Sequence, residues 1–378
     1  MPTQHVANRF PCGTNAKIRN GWIQYSRRHF FAAGAKHRWR VLHATALLVV
    51  LFCSGCVPRS ESDVVVYSAL DQEFAEPILM GFERRQDGET GVIAKFDVES
   101  TKTVGLVNQI IAEKDRPQCD LFWNNEILHT VRLQKLGLLQ PHDWNVAATW
   151  PKDLIASDKT WCGFATRARV LIVNTEMISN AFERPDSVDD LRDPRWAKDC
   201  AMARPLFGTT ATHFAVIRDR IGRDAALKML SQIVDNAVIL SGNKQVAQAV
   251  STGRLAWGLT DTDDAFVEQE LGYPVAIIFP DQQPEQPGTL RIPNTLAILK
   301  DAPHPVAAGR LADYLMTGEI EDRLAMGPSS QMPVSPDSKF PPPVLPDEPV
   351  RWMQVDFESA AEGWPQWAEA VRDVLGEP

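Results

Sequence analysis

No run of eighteen uncharged apolar residues occurs in the chain. The longest candidate, Ala44 to Cys53, is about ten residues, too short to cross a bilayer, so a polytopic membrane protein is excluded. The local signatures of common catalytic machinery are also missing. There is no G-x-S-x-G elbow, no H-E-x-x-H, no G-x-x-x-x-G-K-[ST] loop and no G-x-G-x-x-G fingerprint, and an enzyme is not expected. Tyrosine is scarce: Tyr25, Tyr67, Tyr273 and Tyr314 are the whole set, and none is adjacent to another. Residues 1–55 contain no Asp or Glu but eight Lys or Arg, which leaves 31 basic against 48 acidic residues in the remainder, a net charge of about −17. Phosphate backbones need a cationic face, so nucleic acid is excluded as a partner. What is present, 378 residues at 44% hydrophobic and 23% charged, is ordinary globular material, enough for two packed lobes.

The basic head runs into the apolar stretch Val41 to Phe52 and then Cys53-Ser54-Gly55-Cys56, the order of a secretory signal. Its end resembles a bacterial lipoprotein signal, in which Cys56 is lipidated. Residues 1–56 are therefore read as an export signal with a lipid anchor, placing the body on the periplasmic side of a bacterial membrane. Ser26 to Phe31 also resembles a twin-arginine export motif. Cys53 and Cys56 spell C-x-x-C as well, a redox or metal pattern, but the pair closes an apolar run instead of lying in a folded region. Cys119, Cys162 and Cys200 are an odd set whose spacing fits no zinc pattern, so isolated thiols are expected.

From Asp63 onward short apolar runs alternate with amphipathic segments, the mark of an α/β protein with largely parallel sheets. Val64 to Tyr67 reads as a strand leading to a helix with Phe74, Ile78 and Phe82 on one face and Pro77 in its first turn. Val92 to Val98 is a second strand, and Thr101 caps a helix presenting Val104, Val107 and Ile111. Asp120 to Trp123 is a third, followed by a helix that Gly137 ends. The unit then recurs from Ala201, from Val238 and from Ala256. Phe164 to Val173 is long enough to cross between two bodies, with a return between Val275 and Arg291. Pro328 to Pro349 reads as an extended surface connection, and Phe357 to Leu375 as one final helix. The resulting lobes are 62–166 with about 280–335, and 167–279 with a C-terminal helix at about 350–376.

Ligands of open parallel sheets bind beyond the carboxyl ends of the strands. The loops there hold Asp71, Asn125, Glu126, Gly208, Thr209, Thr210, Ser241, Asn243 and the stretch Thr260, Asp261, Thr262, Asp263, Asp264. The carboxylates Asp71, Glu126, Asp261 and Asp263 are hard oxygen ligands suited to a hard cation. Gly208-Thr209-Thr210 opens a helix, where free N–H groups favour an anion, and Arg167, Lys244 and His213 add to that side. A cation bound with an anion satisfies both. Thr209, Asn243 and Asp263 also read as simple N-caps. Arg167 and Arg169, two apart on the crossing strand, read as inter-lobe salt bridges or as ligand contacts. Trp123 and Trp257 read as packing residues.

Val65 to Glu73, Thr101 to Val107, Phe122 to Glu126 and Gly258 to Asp264 together resemble the ferric-iron-type periplasmic substrate-binding proteins of bacterial ABC importers. Asp193 to Trp196, Pro205 to Thr210 and Arg291 to Thr295 add to the match. The resemblance implies a bilobed type II periplasmic-binding-protein fold with hinge strands. It also implies a monomer that closes on its ligand, needs no cofactor, and delivers to a permease driven by a separate ATPase. It places Asp71, Asn125, Glu126, Gly208, Thr209, Thr210, Asn243 and Thr260 to Asp264 at the ligand, with Fe(III) as cargo. Two departures stand out: the adjacent tyrosine pair of ferric-binding members is absent, and Asp71 stands where such members often place histidine. A phosphonate, or an organic cation such as thiamine or a polyamine, stays open as cargo.

Overall fold

The computed structural model describes residues 63–87, 89–97 and 103–377. The head 1–56 with Cys56, and Thr101, lie outside these residues. The buried run Val64–Ser68 forms β1 and leads into α1 (Gln72–Arg85), which buries Ala75, Ile78, Leu79 and Phe82. Pro77 sits inside α1, past its first turn. After β2 (Val92–Phe96) comes α2 (Val104–Ala112), preceded by Thr103 and burying Leu106, Val107 and Ile110. Val104 and Ile111 face the core less fully than expected, because the helix carries apolar residues on neighbouring rows and packing decides which row is buried. Next are β3 (Leu121–Asn124), α3 (Leu128–Lys135) and β4 (Leu139–Gln140).

The crossing strand is β5 (Cys162–Asn174), buried along all of its 13 residues. Beyond it come β6 (Cys200–Ala203), α4 (Gly208–Ile221), α5 (Arg223–Asn236), β7 (Val238–Leu240), α6 (Asn243–Ser251), β8 (Trp257–Asp261), α7 (Thr262–Glu270) and β9 (Val275–Ile278). The chain returns through β10 (Arg291–Leu299), followed by α8 (Pro305–Leu315), α9 (Gly318–Met326), α10 (Phe357–Ala360) and α11 (Trp364–Leu375). The expected single C-terminal helix is thus two, broken at Gly363, which takes a left-handed φ of 62° that glycine adopts without steric cost.

Among the described residues ten strands form one sheet in the order β2-β1-β3-β10-β5-β8-β6-β7, with β4 on β10 and β9 on β5. One half is β1, β2 and β3 in parallel, closed by antiparallel β10. The other is β6, β7 and β8 in parallel, with the far part of β5 antiparallel to β8. Arg291 to Leu296 of β10 pairs with Ala168 to Cys162 of β5, so the return lies at Arg291 and beyond, later than expected. Residues 280–290 pack with the second half, where Asp281 N donates to Asp186 O at 2.8 Å.

A third segment joins the crossing. Residues 329–332, expected on the surface, are buried, and Met332 exchanges two 2.7 Å backbone hydrogen bonds with Thr166. Buried Glu321 accepts N–H groups from Ala165 at 2.6 Å, Val334 at 3.1 Å and Ser335 at 2.5 Å. Ala165 itself has φ 38°, beside a register shift at Pro293/Asn294. Trp123 and Trp257 are fully buried packing residues, set against Phe164 and Trp196. Cys119, Cys162 and Cys200 are buried and unbridged; burial first, then Asp199, pushes the Cys200 thiol up to about 12. No helix among the described residues is long and apolar enough to cross a membrane.

Candidate functional site

Four helices, α1, α4, α6 and α7, begin where β1, β6, β7 and β8 end, and none of them has a side-chain cap hydrogen bond. Their first N–H groups and dipoles therefore point partial positive charge at the space beyond the strands. Thr209, Asn243 and Asp263 are not caps; Phe207, Gly242 and Asp261 hold those positions. Gly208 opens α4 at φ 54°, and a Cβ there meets nothing within 4 Å, so conformation alone asks for glycine. The expected Thr260 to Asp264 loop is instead a direct handover, since β8 runs through Asp261 and α7 starts at Thr262.

The side chains freed from capping build a buried network. Arg169, fully buried, donates from Nη1 to Asp261 Oδ1 at 2.5 Å and to Thr209 Oγ1 at 3.1 Å, and from Nη2 to Thr210 Oγ1 at 3.1 Å. Asp261 Oδ2 accepts from Thr209 Oγ1 at 2.5 Å and Asn243 Nδ2 at 2.9 Å. Thr210 Oγ1 donates to Asn243 Oδ1 at 3.1 Å. Thr260 Oγ1 donates to the Asn243 carbonyl at 3.0 Å, and Thr262 Oγ1 accepts Ala168 N–H at 3.1 Å. Both oxygens of Asp261 are thus engaged, by Arg169, Thr209 and Asn243.

Next to this network Arg167 pairs with Asp263 at 2.7 Å, both buried. Its Nε and Nη2 are buried without a hydrogen-bond partner among the described residues. Burial disfavours the charged guanidinium, yet Asp263, Asp261, Asp264 and Asp71 together hold its pKa above the ordinary value. Lys244 is treated alike: burial opposes its charge, and Glu73, Asp71 and Asp264 hold it up, with Nζ 3.4 Å from Glu73 across the gap between α1 and α6. Carboxylate oxygens of Asp261, Asp263 and Asp264 lie within 4.8 Å of one another. Four aspartates thus surround a cluster of three cations, and oxygen donors beside a guanidinium suit a hard cation that arrives with an anion.

Glu126 leaves the expected metal set. Its oxygens accept Asn124 Nδ2 at 2.9 Å, His129 N at 3.0 Å, Leu128 N at 2.6 Å and Thr212 Oγ1 at 2.7 Å. Asn124 ends β3, the His129 and Leu128 N–H groups belong to the start of α3, and Thr212 lies on α4 in the other half of the sheet. Burial raises the Glu126 carboxyl above its ordinary range, against those four donors. Asn125 Oδ1 is taken by Thr103 Oγ1 at 3.0 Å. Ser241 is exposed and bonds Gln245 of its own segment.

Asp71, Arg167, Gly208, Thr209, Thr210, Asn243 and Thr260 to Asp264 are brought together; Glu126 serves the start of α3 and the contact with α4, and Asn125 meets Thr103 at the start of α2. The pairings of Arg167 and Arg169 lie with the α7 end of β8 and do not bridge the sheet's halves. A signal for them existed: Arg167/Arg169 and Asp261/Asp263 share a two-residue spacing. Thr212 had none, since one threonine among three near the start of α4 is not distinguished by pattern. Thr212→Val should lower stability by about 1–3 kcal/mol, the worth of a hydrogen bond to a charged group. Urea denaturation with an unchanged m-value checks it.

The chain matches the family described as bacterial extracellular solute-binding protein over residues 120–360. It is 25% identical over 279 residues to the major ferric iron-binding protein of Neisseria meningitidis, covering 73% of this chain and 82% of that one. Its fold is that of iron-bound HitA from Pseudomonas aeruginosa, with TM-score 0.71 and 20% identity over 82% of this chain and 99% of HitA. The Trichodesmium protein IdiA (FutA), in complex with iron and citrate, superposes with TM-score 0.68 and 18% identity, covering 82% and 99%. The fold is thus the bilobed α/β one expected. Spanning more than half the chain, the family match runs from β3 through α10 and takes in Arg167, Arg169 and the starts of α4, α6 and α7: this protein belongs to the bacterial extracellular solute-binding protein family.

Proposed function

We propose that this protein is the solute-binding component of a bacterial ABC importer and that its cargo is ferric iron held together with a small oxyanion such as citrate. A family member of this kind carries a solute and is not an enzyme. The observation behind the reading is the meeting of Asp261, Asp263 and Asp264 beside Arg167, with Asp71 adding to the charge that holds the guanidinium up. Carboxylate oxygens of Asp263 and Asp264 on α7 and of Asp71 just ahead of α1 take the place of phenolates as hard donors, while Arg167 and the uncapped helix starts take the anion. The relatives named for ferric iron, and the neighbour that holds iron and citrate, support it. In this reading 63–166 with 291–335 is one lobe, 167–290 with 350–376 is the other, and they close on the cargo as a monomer. Export with lipid on Cys56 and delivery to a permease and its ATPase complete it, supported by the head and the family.

Calorimetric titration tests it. Ferric citrate should bind saturably at one to one, and the double variant Asp263→Asn/Asp264→Asn should bind at least about tenfold more weakly, a loss of about 1.4 kcal/mol. A second reading, a phosphonate-like oxyanion without metal, is favoured by the uncapped helix starts and by the two Arg167 nitrogens that have no partner among the described residues. Citrate or methylphosphonate alone binding as tightly as ferric citrate, with affinity kept in the double variant, sinks the iron reading and leaves the anion one.

A further inference from the structure

Helix α4 faces two ways. Thr209, Thr210 and Thr212 meet Arg169, Asn243 and Glu126, while His213, the next residue, lines a separate cavity of about 760 Å³. That cavity lies among α4, α5, the short turn Val188–Arg192 and the loop after Asp281, and no residue of the candidate site lines it. Its size falls within the roughly 300–1,000 Å³ of small-molecule pockets.

The cavity has two buried polar groups in its lining. His213 is 2% exposed, and its Nδ1 has no hydrogen-bond partner among the described residues. Burial, then Arg169, keeps the imidazole neutral, so one ring nitrogen is a lone-pair acceptor. Asp281 is 3% exposed, and its Oδ1 accepts Ser187 Oγ at 2.6 Å. The loop wall is prebuilt: Arg351 Nη2 donates to the carbonyls of Asp281 at 2.7 Å and Gln286 at 2.6 Å. Ile217, Met229 and Met353 supply apolar surface. Five acidic side chains line the cavity against three basic ones, and one of the basic three, Arg192, is already bound to Asp189 at 2.7 Å and Gln232 at 2.8 Å.

Acceptors at depth, surplus negative charge and apolar walls select a ligand that donates hydrogen bonds and carries positive charge on a hydrophobic body. We propose that this cavity is a second binding site, for a small organic ammonium with an apolar body. It does not depend on the identity of the cargo in the cleft.

The probe is 2-phenylethylammonium, compared with 2-phenylethanol and phenylacetate, added to the full-length protein and followed by the imidazole ¹³C signals of labelled histidine and by calorimetry. The ammonium should saturate and move the His213 signal, with the alcohol and the acid at least about tenfold weaker. Asp281→Asn should weaken the ammonium by a similar factor. Ala225→Trp, at an exposed lining position, should block the cavity without disturbing the core and abolish binding. No saturation by the ammonium, equal binding of the alcohol, or binding indifferent to Ala225→Trp each overturns the proposal.

Discussion

Arg169→Met should cost the protein about 3–5 kcal/mol, because it leaves a buried carboxylate without its counter-charge. Arg169 and Asp261 stand directly opposite each other in the antiparallel pairing of β5 with β8, and their side chains are 0% and 2% exposed. A slip of β5 by one residue turns Arg169 to the other face and strands Asp261, so the pair pins the register that carries Arg167 to Asp263. Asp261→Leu alone should be as damaging, since it leaves the guanidinium unpaired. The double variant Arg169→Met/Asp261→Leu should lose less than either single one, because no lone charge remains. Urea midpoints of the four proteins decide it. Single losses below about 1 kcal/mol, or a double variant at the sum of the two, would show that the pair does not hold this part of the fold.

Acid should unfold the protein largely through two histidines. Burial first, then Arg132, lowers the pKa of His129 to about 3. Both of its ring nitrogens lack partners among the described residues, and the ring stands edge-on to Trp364 with centroids 5.3 Å apart. His213 is lowered by burial, then by Arg169. A depressed histidine contributes stability that is complete above its unfolded value, near 6.5, and that is lost as pH falls toward the folded value. From about pH 6.5 down to about 3 the unfolded chain therefore takes up as many as two extra protons, and each makes the folding constant fall about tenfold per pH unit. Glu126, Glu321 and Asp281 act oppositely, because burial raises them and their contribution is complete at low pH and lost as pH rises. His129→Leu removes one titrating group from an apolar site and should remove one proton from the slope. Equal slopes in the parent and this variant, between pH 6 and 4.5, would falsify the assignment.

The strand, loop and helix alternation was legible because its elements are separated by residues with strong local preferences. Val64 to Tyr67 is β-branched or aromatic, Gly137 ends α3 at φ 68°, and Gly208 opens α4. Loops at the ends of β1, β6, β7 and β8 follow from topology, which is why the placing of Asp71, Thr209, Asn243 and Asp263 at the starts of α1, α4, α6 and α7 was legible. Partners were not legible. Whether Asp261 holds a metal or Arg169 depends on which residue of β5 faces it, a matter of pairing register that periodicity along one strand cannot supply. Glu126 reads as a loop carboxylate until α3 is seen to start on it. The C-terminal helix hid its break because Gly363 sits within an otherwise amphipathic run, and a lone glycine is weak evidence for a stop.

The third segment at the crossing has a mechanical consequence. Two ribbons, β5 and β10, leave a pair of plates able both to fold together and to twist past each other. The strip around Met332, bonded to Thr166 and tied through Glu321 to Ala165, adds a third ribbon alongside, as in a leaf hinge. Bending then stays compliant about one axis near Ala165, while torsion has to shear hydrogen bonds between neighbouring ribbons. In the lobe closure proposed above, opening would be motion along a single coordinate, returning Asp71, just ahead of α1, to the same spot near Arg167 at each closure.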